Sequence, residues 1–239
     1  TNHKDPYSDR EPRFKATIMY NGCTWESRKI QTYDGGTDNL VEFTKSGSTN
    51  GHTCTGYYLR KYLQEGNTSF STNGSYQYDA VLRYAEVLLN HAEAKAELGT
   101  ITQSDIDKTI KKFRDRVGMP NLVLSNIAVD PKWDFPSLSP VINEIRRERR
   151  VELSAEGFRW DDIARWAAAD ELIIGKRPKG FLASQITTNP FPVDENGFLD
   201  PFRTAMPNGY GFVEGRDYLN SIPLTEIVLN PELEQNPGW

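Results

Sequence analysis

Apolar and polar positions first settle into a clear rhythm at Asp79. Leu82, Ala85, Leu88, Leu89, Ala92 and Ala96 recur at three and four and trace one stripe along a helix. Asp79 is placed to cap its start, and Gly99 follows Leu98 as its stop. A second stripe, Ile106, Ile110, Phe113 and Val117, opens at Thr102 and ends at Gly118 and Pro120. Thr102 and Asp105 have the spacing of a capping box. The pattern predicts a helical hairpin over 79–118, tetratricopeptide-like, with small alanines on the first helix that let the second approach. A solenoid needs about three such repeats to bury a continuous core. Only one is visible, so this hairpin must lean on something else.

Residues 1–78 read as loops with short strands. Phe14 to Tyr20 partly alternates and meets the turn pair Asn21-Gly22, with Lys29 to Tyr33 as the partner strand. Two stretches, 46–56 and 67–75, are rich in Ser, Thr, Asn and Gly, as exposed loops are. Downstream, 121–138 is a loop carrying Trp133 and Phe135. Ser139 caps a third helix with Pro140 at its first position, running to about Glu156 with Gly157 as its stop. A short fourth helix, Trp160 to Ala169, sets Trp160, Ile163 and Trp166 on one face. The segment 139–170 thus forms a second helical region, and 171–239 an irregular tail rich in Pro, Gly and Asn. Such a long stretch suits a compact protein best if it wraps a helical core. The expected fold class is mainly α: one helical hairpin, long irregular loops and a few short strands.

Charge changes the picture in one place. From Val141 to Arg165, Arg146, Arg147, Arg149, Arg150, Arg159 and Arg165 are matched in number by Glu144, Glu148, Glu152, Glu156, Asp161 and Asp162. Glu144 with Arg147, and Arg149 with Glu152, stand three apart, where helical side chains meet. Charges this dense surround the helix, so the fold covers some of them, and covered arginines need carboxylate or carbonyl partners. The expectation is a structural hub. The segment is internally paired, and the whole chain carries a net charge of -5, which excludes the electrostatic footprint of a nucleic-acid binder.

The remaining chemistry is sparse. Cys23 and Cys54 could form one bridge or stay as two buried thiols; two cysteines exclude a disulfide scaffold or a four-cysteine zinc site. His3, His52 and His91 match no zinc spacing. No nucleophile elbow is present, and no apolar run approaches a membrane span. Asp194-Glu195-Asn196-Gly197 reads as a plain turn, since its glycine comes too early for an EF-type calcium loop. No catalytic residue, metal ligand or cofactor site is expected.

Several separated blocks resemble one family in the right order. Asp9-Arg10-Glu11-Pro12-Arg13-Phe14 is similar to an Asp-Pro-Arg-Phe block, with Glu11 in place of Asp. Tyr20-Asn21-Gly22 with Trp25 and Arg28, Thr55 to Lys61, Leu82 to Leu89, and Ile145 to Trp166 follow. The terminus resembles it too, through Ile222-Pro223-Leu224, Asn230-Pro231 and Gln235-Asn236-Pro237-Gly238-Trp239. Together they resemble the SusD/RagB-like family of nutrient-binding lipoproteins. That resemblance implies a SusD-like fold in which 1–239 is the C-terminal portion of one domain, with further tetratricopeptide-like helices in an N-terminal half absent here. It implies a bacterial outer-membrane, cell-surface protein, lipid-anchored through a segment outside this chain, since neither Cys23 nor Cys54 follows a signal sequence. The resemblance further implies a SusC-like TonB-dependent porin and an oligosaccharide or polysaccharide as partners, the missing N-terminal half of the same protein beside them, and a binding role without catalysis.

Sugars are held by aromatic platforms against the pyranose face, with amides and Arg on the hydroxyls. Trp25, Tyr33 and Trp133 sit in or near loops and are the candidate substrate-binding residues; Tyr57 and Tyr58 are assigned to the core. Two other classes compete with the binding module: a glycan- or peptide-degrading hydrolase, which needs a converging acid pair or nucleophile, and a structural or peptide-capturing lid of the transporter, which needs a large apolar patch.

Overall fold

A computed structural model of the chain describes residues 7–33, 35–38, 53, 55–66, 80–180, 182–185 and 191–239. It is mainly α with short strand pairs and divides into two compact units. The first is Thr1–Ala155 with Lys179–Asp200, and the second is Glu156–Pro178 with Pro201–Trp239. Among the described residues no helix is long and apolar enough to cross a membrane.

The first unit is organised on the predicted helices. Helix α2 (Tyr84–Glu97) buries Ala85, Leu88, Leu89, Ala92 and Ala96, the stripe the sequence predicts. Its start differs from the expectation. The N-cap is Arg83, Leu82 precedes the helix and is 74% exposed, and Asp79 lies outside the described residues. Gly99, at φ +65°, ends it as expected.

The second predicted helix is two. Thr102 opens α3 (Gln103–Lys108) with a complete capping box on Asp105. Thr109 then leaves helical geometry, at φ -119° and ψ -88°, before α4 (Ile110–Arg116). Its hydroxyl donates to the Asp105 carbonyl at 2.6 Å, a bond a β-branched hydroxyl makes in competition with the backbone. Ile106, Ile110 and Phe113 still share the core across the break.

Helix α5 (Pro140–Glu152) is the neighbour the hairpin needs; it packs on both α2 and α4. Ser139 caps it, with Pro140 at N1. It ends four residues before Glu156. Lys61 Nζ donates to the Glu152 and Ser154 carbonyls, at 3.1 and 3.0 Å, satisfying groups a longer helix would use, and Ala155 takes φ +63°.

The N-terminal region corrects the predicted hairpin. Phe14 to Thr17 is not a strand but part of helix α1 (Pro12–Thr17), favoured by proline at its first position. Strand β1 (Ile18–Met19) pairs antiparallel with the distant β4 (Tyr58–Leu59), Ile18 opposite Leu59. The local hairpin joins β2 (Thr24–Trp25) to β3 (Arg28–Lys29). Its turn is Glu26-Ser27, both at positive φ as a tight two-residue connection requires. Asn21-Gly22 still turns the chain, with Gly22 donating to the Ile30 carbonyl. Cys23 is a buried free thiol beside Met19 and Ile30; Cys54 lies outside the described residues. Around 179–200, Lys179 pairs with the buried Asp200 and with Asp194. Asp194 accepts from the backbone N–H groups of Asn196 and Phe198, the plain turn expected there.

In the second unit the predicted fourth helix is shorter. Helix α6 (Arg159–Arg165) ends where Ala167 takes φ +48°, and α7 (Ala169–Leu172) follows. Ile163 is buried while Trp160 is 49% exposed, so these two do not share one buried face. The tail also contains a helix that the sequence reading missed, α8 (Leu224–Leu229).

Candidate functional site

The charged helix is a scaffold. Arg13, from α1, lies between Glu11, Glu148 and Glu152, at 2.7, 2.7 and 3.2 Å. Glu152 also takes Arg83 at 2.5 Å and Arg116 at 2.7 Å. Arg114 reaches Glu144 and Glu148, and Arg147 pairs with Glu144 as its spacing predicts. Arg146 meets Glu97, and Arg149 meets Asn90 on α2. Burial pushes the Glu152 carboxyl up, but the hydrogen bond and charge of Arg116, with Arg83 and Arg13, outweigh it and hold the pKa below its usual value. Burial likewise opposes the charge on Arg13, and Glu11 and Glu148 more than restore it. A carboxylate held low by three guanidiniums, as Glu152 is, is a poor proton donor or acceptor at neutral pH.

The three predicted aromatics lie in the first unit, and among the described residues no ring contact joins them. Trp25 is half-buried against the Met19, Cys23 and Ile30 cluster, with the Arg60 guanidinium 5.5 Å from its ring centroid. Tyr33 is 50% exposed. Trp133 is half-buried; its indole N–H is shielded from solvent and finds no partner among the described residues. Any ligand contact by Trp133 would use the ring face.

Two aromatic surfaces were missed. In the first unit Tyr20 stacks between Tyr7 and Phe14, at centroid distances of 4.6 and 5.2 Å, and Tyr57 meets both at its edge. Tyr57 is therefore a surface residue, whereas Tyr58 is half-buried and donates its hydroxyl to the Asp38 carbonyl. A cavity of about 370 Å³ lies beside this group, walled by Phe14, Ile18 and Val151 with Arg10 and Arg150.

The second unit holds the better-built concavity, of about 330 Å³. Trp160 comes from the first turn of α6. Tyr210 is set by a backbone bond to Lys176 and by bridges from Ile174 to Gly209 and Tyr210. These segments approach so closely that a Cβ on Gly209 would lie 2.5 Å from the Gly175 carbonyl carbon. Phe212 meets Trp160 at 6.0 Å and Tyr218 at 4.8 Å, both edge-on. Trp239 donates its indole N–H to the Leu219 carbonyl at 2.9 Å, and Arg216 covers one ring face at 4.7 Å. Trp160, Tyr210 and Trp239 remain 49%, 42% and 51% exposed. Asp217 and Asn220 add polar groups to the wall. Hydrogen bonding to Arg216 first, then to the Val213 backbone, holds the Asp217 carboxyl low. Among the described residues no cluster of three or more His, Cys, Asp or Glu could hold a metal ion.

The helical hairpin, the α5 hub and the half-exposed rings describe a mainly helical protein with fixed aromatic surfaces. The chain belongs to the SusD family, which it matches over residues 1–239. It is 28% identical to SusD-like protein P2 of Formosa agariphila over 76% of this chain and 29% of that protein. It superposes on a SusD-like carbohydrate-binding protein of Bacteroides fragilis with a TM-score of 0.69 and 28% identity, covering 95% of this chain and 42% of that one. A second SusD-like protein of B. fragilis, at 24% identity, shares the fold with a TM-score of 0.63 over 98% of this chain and 39% of that one. The chain thus spans less than half the length of each.

Proposed function

We propose that this chain is the C-terminal portion of a SusD-like domain that captures oligosaccharide at the bacterial surface. The protein hands the sugar uncleaved to a SusC-like TonB-dependent outer-membrane transporter and is lipid-anchored in the outer membrane. The observation that carries this reading is the set of half-exposed rings fixed around one concavity in the second unit. Rings held in place lose little freedom when a sugar stacks on them. Family membership and a relative described as carbohydrate-binding support the same reading. Trp25, Tyr33 and Trp133 remain candidate contacts in the first unit.

The test is calorimetry and affinity electrophoresis of the full-length protein against a polysaccharide panel, with reducing ends followed in the same samples. Saturable binding without new reducing ends is expected. Release of reducing ends would overturn the non-catalytic reading, and silence on every glycan would overturn sugar capture. Substituting Trp25, Tyr33 and Trp133 singly by Ala then shows whether the first unit touches the ligand.

A further inference from the structure

We infer that the concavity of the second unit is a subsite for uncharged, hydroxyl-rich pyranose rings. This inference rests on the sugar-capture reading and sharpens it to one place and one ligand class.

Three features of the wall select that class. The first is rigidity combined with exposure. Trp239 is pinned by its indole N–H and by Arg216 on one face, and the turn before it is tied down by Asn236, whose side chain donates to the Asn220 carbonyl at 2.6 Å. Trp160 is braced edge-on by Phe212. Such rings offer flat apolar faces to the C–H surface of a sugar without first having to be ordered.

The second is charge. Asp217 is the one charged side chain on the wall among the described residues. Its carboxylate already receives Arg216 at 2.5 and 3.2 Å and the Val213 N–H at 2.6 Å. Arg216 and Asp217 cancel, so the wall offers no unmatched cation to a sulfate or uronate. An ammonium ligand would need an unmet negative charge beside the rings, and Arg216 already matches Asp217.

The third is hydrogen-bonding capacity. A carboxylate has about four lone-pair sites, and three are taken at Asp217. The Asn220 side-chain amide makes no hydrogen bond among the described residues and offers both donors and an acceptor. A hydroxyl both donates and accepts, so vicinal sugar hydroxyls fit this pair. The volume is at the low end of the roughly 300–1,000 Å³ of small-molecule sites, so the subsite takes a short stretch of a longer glycan.

The experiment uses the full-length protein with Trp160→Ala and Tyr210→Ala, and Trp25→Ala for comparison. Affinity for neutral glycans (laminarin, xyloglucan, starch) and acidic ones (alginate, carrageenan) is measured by calorimetry, and near-UV circular dichroism reports folding. The expected result is binding of a neutral glycan, weakened about tenfold or more by Trp160→Ala or Tyr210→Ala. Hydrogen exchange on the unsubstituted protein, with an oligosaccharide of that glycan, should show slowed exchange across 209–220. That readout decides the matter even if a variant fails to fold. Unchanged exchange across 209–220, or full affinity in folded variants, would overturn the subsite and leave sugar capture standing. Binding of acidic glycans alone would overturn the ligand class. No glycan binding at all would overturn both.

Discussion

Arg13 and Glu152 are 139 residues apart in sequence and meet at 3.2 Å, each at least 95% buried. This contact ties α1 to the last turn of α5. Truncating one partner leaves the remaining charges buried with fewer counter-charges, which costs about 3–5 kcal/mol. Arg13→Ala and Glu152→Ala should each lower unfolding stability by about that amount in denaturant titrations. The exposed Lys111–Asp115 pair sets the contrast, because surface pairs one helical turn apart contribute at most about 0.5 kcal/mol. If Arg13→Ala proved as mild as Lys111→Ala, the hub would not be what holds the first unit together.

The same hub makes the protein acid-sensitive. The Glu152 carboxyl titrates at 4.5 when unperturbed and lower when folded. The unfolded chain therefore binds more protons in acid, and stability rises with pH through that window. The contribution is fully present above pH 4.5 and is lost as pH falls through the folded value. Thermal melts should show a steep loss below about pH 4.5 and little change from there to neutrality. Glu152→Gln should be less stable at neutral pH and should flatten the acid slope; an unchanged slope would assign the acid sensitivity to other carboxylates.

Residue pattern carried the local elements well and the long-range ones poorly. The Thr102 capping box, Pro140 at N1 and the Gly99 stop are chemistry within one turn of chain, so sequence alone located them. The break at Thr109 was hidden because the apolar stripe runs on through it. Helix α1 was misread as a strand because Phe14 to Tyr20 alternates. What decides that segment is Arg13, whose partners lie on a helix more than a hundred residues downstream. The same limit applies to the rings. Trp160 stands on a helical face with Ile163 and Trp166, Tyr210 in the irregular tail, and Trp239 in the family-like terminus. Long-range contacts, among them the backbone bond from Tyr210 to Lys176 and the indole bond from Trp239 to Leu219, bring them to one concavity.

Gly209 should be among the least replaceable glycines. It has φ +79°, and a Cβ there would meet Gly175 and Lys176 backbone atoms at 2.5–2.7 Å. Backbone cannot step aside as a flexible side chain can, and left-handed strain alone costs about 1–3 kcal/mol for a non-glycine residue. Gly209→Ala should destabilise the second unit by at least that and displace Tyr210 from the concavity. Gly211→Ala, with nothing within 4 Å of its Cβ and no left-handed φ, should be nearly silent. Near-UV circular dichroism of the two variants separates the outcomes, and equal effects would contradict the close approach at Gly209.

Tyr218 links the start of α7 to the aromatic concavity. Its hydroxyl accepts from the buried Ala169 N–H at 3.0 Å, and its ring meets Phe212, which in turn meets Trp160. Tyr218→Phe keeps the ring contacts and removes the acceptor, leaving a buried donor unmet at a cost of about 1–3 kcal/mol. Tyr218→Ala removes both and should also free Phe212 to shift. The two substitutions therefore predict different signatures. The Phe variant should melt earlier with its near-UV spectrum and glycan affinity intact. The Ala variant should melt earlier and lose both, because Trp160 no longer has a fixed brace. If the Phe variant lost affinity as fully as the Ala variant, the hydroxyl rather than the ring stack would be what positions the concavity.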